Sequence, residues 1–351
     1  MERNEGITLI ALIITIIILL ILVGVSINLA IKGDLFGSAE KAVSGTNDKT
    51  AQEQTRVDEL MGELGRVEEQ QRQDNLPGTR VTENTKYVSN GKTAWITAGF
   101  TISKAEGETT IDGGLVIYLI QDKTEEEIKN LTWTGTELEN LKKTYDQFVW
   151  IPISHEQINN MFICQAKTTS NGSCNIVAEN GTAKCTTHNS TQMAGRLYAT
   201  STGESYNNPK KEVYTANTGL REPDVVDSYD GTSAYLYNLT SILGSEYDAK
   251  DKFKNILQTD YNEIVALIYN AKGYYVGRYE TSNLTTTKGT AINVVAGTNF
   301  GISNINWYCM YAQQKAYTTN KQLKSVKSSM ILGTCHDQML EFVNVAGKYD
   351  V

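Results

Sequence analysis

The sequence is poor in proline, phenylalanine and histidine, and it has no excess of positive charge. Among 351 residues there are only 4 prolines, 7 phenylalanines and 3 histidines, against 19 tyrosines. The 40 acidic residues outnumber the 32 basic residues, so the formal net charge is −8. Because proteins that bind the phosphates of nucleic acids present basic patches, this balance argues against nucleic acid as a partner.

The usual patterns of metal ligands and catalytic residues are also missing. His155, His188 and His336 are far apart in the chain, so neighbouring positions supply no histidine-based zinc site. Cys335, His336 and Asp337 are adjacent, but adjacent side chains on a helix do not face each other. We therefore predict no catalytic residue, no metal ligand and no cofactor.

The cysteines have spacings that fit no common metal motif. They are Cys164, Cys174, Cys185, Cys309 and Cys335. The first three follow one another at intervals of ten and eleven residues, which is not a Cys-x-x-Cys pattern. In an exported protein, Cys164, Cys174 and Cys185 are candidates for one disulfide. Cys309 and Cys335 lie in apolar helical stretches, which predicts small buried hydrophobic residues there.

One long hydrophobic run stands out near the start of the chain. Residues 6–31 carry no charge and are packed with Ile, Leu and Val. As a helix, this run would be about 39 Å long, whereas a bilayer core of about 30 Å needs about 20 residues. It is too long for the apolar core of an ordinary secretory signal, and no Ala-x-Ala pattern ends it. It predicts a transmembrane helix over residues 7–32, and no second spanning run follows.

The junction at Gly6–Ile10 resembles the leader of type IV pilins and type II secretion pseudopilins. The resemblance implies that a prepilin peptidase cuts between Gly6 and Ile7, releasing residues 1–6, and that the new amino terminus is methylated. It further implies a cytoplasmic amino end, an extracellular head and filament subunits as partners. Two residues depart from the family pattern, since Glu5 replaces a basic residue and Ala11 replaces the glutamate associated with assembly. A plain single-pass anchor is the alternative.

A helical stalk and a strand-rich head follow the membrane segment. Over residues 33–78, apolar residues at helical spacing predict a charged helix with a narrow apolar stripe, namely Val57, Leu60, Met61, Leu64 and Val67. This helix either packs on the head, as the pilin resemblance implies, or is a solvated stalk between anchor and head. Over residues 79–165, short β-branched and aromatic runs such as "KYVSN", "AWITAGFTIS", "GGLVIYLI" and "QFVWIPIS" predict strands. "TEEEIKNL" and "TELENLKKTY" predict short helices or loops between them.

The stretch over residues 166–232 is small, polar and rich in turn residues. Its few apolar residues include Ile176, Val177, Leu197 and Val213. Four scattered side chains, each contributing roughly 1.5–3 kcal/mol when buried, do not offset the ordering of some 60 residues at about 1 kcal/mol or more each. We therefore predict a loop-rich surface insertion that the core does not need. It is mobile, pinned by a disulfide among Cys164, Cys174 and Cys185, or supported by a ligand or partner. It offers a binding surface for an unknown ligand, and a plain flexible insertion is the alternative.

Residues 233–351 complete the head with helices and a strand. "KDKFKNILQTDYNEIVALIYNAKG" predicts an amphipathic helix that ends near Gly273, and "YYVGRYETS" predicts a strand directly after it. Together with "INWYCMYA" and "SSMILGTCHDQMLEFV", these segments resemble the formylglycine-generating (sulfatase-modifying-factor) family. The resemblance implies a C-type-lectin-like head. The family's catalytic cysteines and its "G-N-V-W-E-W" and "R-G-G-S" motifs do not occur in this chain.

These observations predict an α+β protein with a long N-terminal transmembrane and stalk helix followed by a mixed, β-rich, C-type-lectin-like head. The function predicted first is non-catalytic: a membrane-anchored, pilin-like surface protein, displaying its head for adhesion or ligand binding outside the cell. The hydrophobic segment is similar to that of exported proteins of Gram-positive bacteria. The alternative is an exported enzyme of the formylglycine-generating type that is truncated at Val351.

Overall fold

The structure is a computed structural model, and it describes residues 54–66, 76–166, 174–196, 220–221, 250–282, 292–297, 307–324 and 326–345. The chain divides into two compact units, Met1–Gln70 and Gln71–Val351. None of the helices within the described ranges combines the length and apolar character needed to cross a bilayer. The predicted membrane helix and the predicted cleavage site between Gly6 and Ile7 lie outside the described residues.

In the first unit, residues 54–66 form a helix, α1, as the apolar spacing predicted. Of the predicted stripe, Val57, Leu60, Met61 and Leu64 lie in the described residues, and they are 41–64% exposed. Gly62 and Gly65 have no heavy atom within 4 Å of an added Cβ, so these two positions are open.

The second unit combines eleven strands and six helices among its described residues, which confirms the predicted α+β class. The strands are β1 Thr85–Ser89, β2 Lys92–Ile96, β3 Thr101–Ile102, β4 Val116–Leu119, β5 Asp146–Pro152, β6 Phe162–Cys164, β7 Ile176–Glu179, β8 Thr182–Cys185, β9 Met193–Arg196, β10 Leu220–Arg221 and β11 Gly273–Gly277. The helices are α2 Glu125–Lys129, α3 Gly135–Thr144, α4 His155–Met161, α5 Lys250–Ala271, α6 Trp307–Asn320 and α7 Gly333–Val345.

The largest sheet has four antiparallel strands in the order β11-β5-β4-β3. Its centre is β4 and β5, which lie in the β-branched and aromatic runs "GGLVIYLI" and "QFVWIPIS" that predicted strands. Ile117 and Trp150 there are 1% and 2% exposed. Strand β11 pairs with β5 over five residues, from Gly273 opposite Pro152 to Gly277 opposite Phe148. The sheet therefore joins the two parts of the head that lie on either side of the polar stretch.

Short helices α2 and α4 begin at side-chain caps. Thr124 and Ser154 each accept a hydrogen bond from the backbone of the third helical residue, and Glu127 and Gln157 bond back to the cap. Such reciprocal capping satisfies backbone N–H groups that a helix start leaves unpaired. The cap at Ser154 fixes α4 directly after β5 and directly before β6.

Helix α5 is the long amphipathic helix that the sequence predicted. Its inner face carries buried residues at helical spacing, namely Phe253, Leu257, Tyr261, Val265, Ala266 and Ile268. The chain leaves the helix through Lys272, whose φ of 56° is left-handed, and continues into β11. Helix α5 packs against β7, β8, β9 and β11, so it contacts both the large sheet and the polar stretch.

The described part of the polar stretch, residues 174–196, is integral to the core, and the prediction that it contributes little is wrong for these residues. β7 and β8 form an antiparallel hairpin, and β9 pairs with β6 and β10 in a three-stranded sheet. The buried hydrophobic residues of the segment are Cys174, Ile176, Ala183, Cys185, Met193 and Ala194, each at most 2% exposed. The sequence argument failed because it counted only large aliphatic side chains.

Candidate metal centre

A tight hairpin brings the first two parts of the candidate site together. Asn180 and Gly181 connect β7 to β8 with φ values of 50° and 75°. Two consecutive positive φ values are the requirement of a type I′ turn, which Asn-Gly adopts readily. The resulting register sets Ile176 opposite Cys185, so Cys174 lies beside the end of β8.

A second turn, over residues 185–190, folds His188 back toward the hairpin. Cys185 and Ser190 exchange backbone hydrogen bonds of 2.7 and 3.3 Å. Within the turn, Asn189 has a φ of 49°, a conformation that Asn tolerates better than most residues. The Thr186 N–H donates to the carbonyl oxygen of Asn175 over 2.9 Å, which ties the turn to the start of β7.

Cys164 comes from the neighbouring sheet, at the end of β6. Its backbone N–H donates to Sγ of Cys174 over 3.4 Å. The N–H of Ile176 donates to Oδ1 of Asn159 in helix α4 over 2.9 Å, so the start of the hairpin is fixed to the helix that precedes β6. Cys164 and Cys174 therefore meet through contacts that their own spacing of ten residues does not reveal.

Four donor atoms converge at this point: the sulfurs of Cys164, Cys174 and Cys185 and Nδ1 of His188. All four atoms lie within 4.8 Å of one another. The Sγ atoms of Cys174 and Cys164 are 3.7 Å apart, and Nδ1 of His188 is 3.5 Å from Sγ of Cys174 and 3.3 Å from Sγ of Cys185. The three cysteines are buried free thiols, and His188 is partly buried.

The three separations of 3.3–3.7 Å are close to those of a tetrahedral zinc site. With Zn–S bonds of about 2.3 Å and a Zn–N bond of about 2.0–2.1 Å, tetrahedral geometry separates two sulfurs by about 3.8 Å and a sulfur from a nitrogen by about 3.5 Å. By contrast, a disulfide needs its sulfurs at about 2.05 Å. Three thiolates and one imidazole form one of the common donor sets of structural zinc.

The thiols influence one another electrostatically. Burial raises the pKa of the Cys164 thiol to about 12, and the Cys174 thiol adds to that shift. Burial also raises the pKa of Cys174. At Cys185 burial acts in the same direction, but hydrogen bonds with His188 and the other two thiols outweigh it and lower the pKa to about 7. The pKa values of the three buried thiols therefore differ in direction, being raised at Cys164 and Cys174 and lowered at Cys185. A bound cation would favour the thiolate form of each cysteine.

Helix α5 supports the site from behind through two polar side chains. Nε2 of Gln258 donates to the carbonyl oxygen of Met193 over 2.8 Å, and the Met193 N–H donates to Oδ1 of Asn262 over 3.0 Å. Nε2 of Gln258 also bonds to Oδ1 of Asn262 over 2.9 Å. These bonds hold the start of β9, which pairs with Cys164, against the helix.

The structure brings together the three cysteines that the sequence analysis proposed for a disulfide, and it adds His188, which the sequence analysis treated as isolated. The signal that could have identified His188 is Cys185-Thr-Thr-His188, in which a cysteine and a histidine are separated by two residues. Cys335 is buried in the same hydrophobic core, as predicted, but does not belong to the four-residue cluster. The sequence analysis predicted no catalytic residue and no metal ligand, whereas the structure places three thiols and one imidazole together.

Comparisons with known proteins identify no relative: no protein-family description, no curated protein and no solved structure matches the chain. The chemistry of the four donors and the fold around them therefore carry the functional argument.

Proposed function

We propose that Cys164, Cys174, Cys185 and His188 bind one Zn²⁺ ion that holds the head of this protein together. The observation that carries the proposal is the convergence of three buried sulfurs and one imidazole nitrogen within 4.8 Å. Soft thiolate ligands with imidazole in a tetrahedral arrangement select zinc over the hard cations Mg²⁺ and Ca²⁺, which prefer oxygen.

The role of the ion is structural. Catalytic zinc has three protein ligands and keeps a fourth position for water or substrate, whereas this cluster provides four protein ligands. The ligands come from the end of β6, the entry to β7, the end of β8 and the following turn. One ion would join the three-stranded sheet to the β7–β8 hairpin. Hydrophobic contacts between small side chains stabilise such a connection only weakly, because they bury little apolar surface.

The experiment is a zinc measurement on the full-length chain, purified in detergent micelles without added metal. We expect about one Zn²⁺ per chain by elemental analysis. Cys185→Ala should lose the ion, because three remaining ligands bind it far more weakly. Cys335→Ala is the matched control, since it makes the same change at a buried cysteine outside the cluster and should keep the ion.

The competing outcome is the disulfide predicted from the sequence. A chain that contains no zinc, has a mass about 2 Da below the reduced value and regains that mass with a thiol reductant would contradict the metal proposal. Peptide mapping under non-reducing conditions would then identify the pair among Cys164, Cys174 and Cys185.

We further propose that this head is displayed outside the cell by a membrane anchor with a pilin-like leader. The supporting observation is the uncharged run over residues 6–31, followed by about 320 residues with no second run of that kind. The proposed partners are the lipid bilayer, a prepilin peptidase and pilin-like filament subunits, and the head is non-catalytic with a C-type-lectin-like architecture. An exported enzyme of the formylglycine-generating type is the alternative function.

Mass spectrometry of the membrane-extracted protein tests the leader. We expect Ile7, with or without a methyl group, at the amino terminus when an active prepilin peptidase is present. An intact Met1 in the same cells would leave only a plain single-pass anchor. The zinc measurement does not depend on this result, so the two proposals fail separately.

A further inference from the structure

A cavity of about 710 Å³ lies in the second unit, beside the large sheet, and none of the four proposed zinc ligands lines it. Its floor is formed by β5 and β11, and its walls by the C-terminal half of α5, part of α6 and residues 326–332. Ligand sites in proteins are commonly concave, mostly apolar spaces of about 300–1,000 Å³ with a few polar groups. The size of this cavity therefore suits a small molecule.

Aromatic rings form much of the lining. The aromatic residues that line the cavity are Trp95, Phe100, Phe148, Trp150, Tyr274, Tyr275, Tyr279 and Tyr317. Several of these side chains keep surface that a ligand can reach: Trp95 is 41% exposed, and Phe148 and Tyr279 are partly exposed. Because the face of an aromatic ring carries partial negative charge, accessible rings attract organic cations.

The charged groups of the lining leave one carboxylate unmatched. Among the described residues, only Glu280 and Lys327 bring a charge to the lining. Nζ of Lys327 lies against Oε2 of Glu263 and 3.7 Å from Oδ1 of Asp260, and Asp260 also pairs with Lys315. These two acidic and two basic side chains balance one another. Within the part of the chain that the structure describes, Glu280 has no ion-pair partner, so the lining has a net negative charge.

The neighbouring arginine does not neutralise Glu280. Nη1 of Arg278 lies 2.7 Å from Oε1 of Glu108, and it also donates to Oε1 of Gln147 over 3.2 Å. Arg278 does not line the cavity. Its charge is therefore matched by Glu108, and the negative charge at Glu280 is left to attract a cation from solution.

An aliphatic side chain is also left in water at the cavity. Leu267 of α5 lines the cavity and is 52% exposed. A molecule that entered would remove apolar surface of Leu267 and Trp95 from water, which favours binding. The site therefore combines accessible apolar surface, accessible aromatic rings and one unmatched negative charge.

We propose that this cavity binds a small organic ammonium ion with an apolar body. The ammonium group lies near the carboxylate of Glu280 and against accessible aromatic rings. The apolar body rests on Phe148 and covers Leu267. This binding involves no covalent step, and it does not depend on the zinc proposal.

The test compares three probes that share a naphthalene body and differ in charge. They are 2-(naphthalen-2-yl)ethylamine, which is cationic at neutral pH, the neutral 2-(naphthalen-2-yl)ethanol and the anionic 2-naphthylacetate. Binding to the full-length chain is measured by equilibrium dialysis against protein-free micelles of the same non-ionic detergent, so that partition into micelles cancels. We expect the ammonium probe to bind about threefold more tightly than the alcohol and about tenfold more tightly than the carboxylate.

Glu280→Gln removes the unmatched charge and keeps the shape of the side chain. Ammonium binding should weaken about threefold to fivefold, carboxylate binding should strengthen, and alcohol binding should stay unchanged. Glu137→Gln in α3 is the matched control, because it makes the same change at an exposed glutamate that does not line the cavity. It should leave the binding of all three probes unchanged.

Two exposed tryptophans provide a second matched pair. Trp95→Leu replaces an aromatic ring of the lining by an aliphatic side chain, so ammonium binding should weaken about twofold to fivefold and more than alcohol binding does. Trp307 is 40% exposed and does not line the cavity, so Trp307→Leu should leave binding of all probes unchanged. Thermal unfolding of each variant checks that the chain is folded before binding is measured.

Three outcomes would overturn the proposal. The first is that none of the probes binds, which would mean that the cavity is closed or filled by the protein in solution. The second is that the carboxylate binds the unmodified chain as tightly as the ammonium probe does. The third is that folded Glu280→Gln keeps the unmodified ratio of ammonium to carboxylate affinity, which would mean that Glu280 does not face the ligand.

Discussion

Residues 85–152 and residues 174–196 both supply strands to the buried core, but they do so with different side chains. In the first region, the fully buried residues are large, such as Ile117, Tyr118 and Trp150. In the second, most are small or contain sulfur, such as Cys185, Ala183 and Met193. The first region obtains its stability from buried apolar area, whereas the second, in our proposal, needs a metal ion.

The difference shows why composition misjudged the second region. A buried Cys or Ala removes little apolar surface from water, so a sum over side chains gives too little stabilisation for an ordered segment. Apparent free energies of zinc binding in small zinc domains are about 10–16 kcal/mol, which is comparable to what several buried aliphatic residues provide at about 1.5–3 kcal/mol each. One cluster of four ligands can replace a hydrophobic core over a short stretch of chain.

The largest expected effect comes from removing the metal. After treatment with a strong zinc chelator, or in Cys185→Ala, β7 and β8 should unfold while β4 and β5 stay folded. The proposed zinc contribution is comparable to the whole stability of a typical domain, about 5–15 kcal/mol. Hydrogen–deuterium exchange, read peptide by peptide, checks this. The control Cys335→Ala should keep the protection of residues 174–185 as long as no chelator is added. If residues 174–185 of the unmodified chain stay protected after chelator treatment, the comparison is contradicted.

Core truncations in the two regions should respond differently to zinc. Ile117→Ala, at the centre of the large sheet, should lower the free energy of unfolding by about 2–5 kcal/mol whether or not zinc is present. Ile176→Ala should lower stability with zinc bound and have no further effect in the metal-free protein, because β7 is then already unfolded. Urea unfolding with and without chelator measures both. Equal costs for Ile176→Ala in the two conditions would argue that hydrophobic packing alone holds the hairpin.

The hairpin turn should be sensitive to a single methyl group. Gly181→Ala should lower stability by about 1 kcal/mol, because a φ of 75° is unfavourable for a residue with a Cβ atom and the site has no neighbour to clash with. Gly62→Ala in α1 is the control, since its position is also open and alanine favours a helix by up to about 1 kcal/mol. Thermal unfolding should show changes of opposite sign, and a stabilising Gly181→Ala would rule out the type I′ turn.

The smallest effect is expected for the ion pair on the surface of the same hairpin. Nζ of Lys184 lies 3.3 Å from Oε2 of Glu179, and both side chains are about one-third exposed or more. Exposed pairs of this kind contribute about 0–1 kcal/mol. Lys184→Ala should therefore change the unfolding midpoint only slightly, and it should leave the zinc content at one ion per chain. A large loss of stability would mean that surface charge, rather than the metal, fixes the hairpin.

Local patterns predicted the helices and strands of the head correctly wherever the apolar residues followed either the helical or the strand spacing throughout a segment. The spacing of Phe253, Leu257, Tyr261 and Val265 predicted α5, and the aromatic and β-branched runs predicted β4, β5 and β11. In these segments each side chain that faces the core is large, so the period of the buried face is visible in the sequence. The Asn180-Gly181 turn was equally visible, but it was overlooked inside a stretch dominated by Ser, Thr and Asn.

The sequence alone determined the uncharged segment over residues 6–31, the acidic balance and the helix and strand patterns, because these depend on residues that are near one another in the chain. The tertiary structure decided the metal centre and the cavity. Cys164 meets Cys174 and Cys185 only because β9 pairs with β6 while the β7–β8 hairpin packs on α5. Trp150 and Tyr275 become neighbours only because β11 pairs with β5 across more than a hundred residues. Such sites depend on strand pairing between distant segments, and no local period encodes which distant segment a strand will meet.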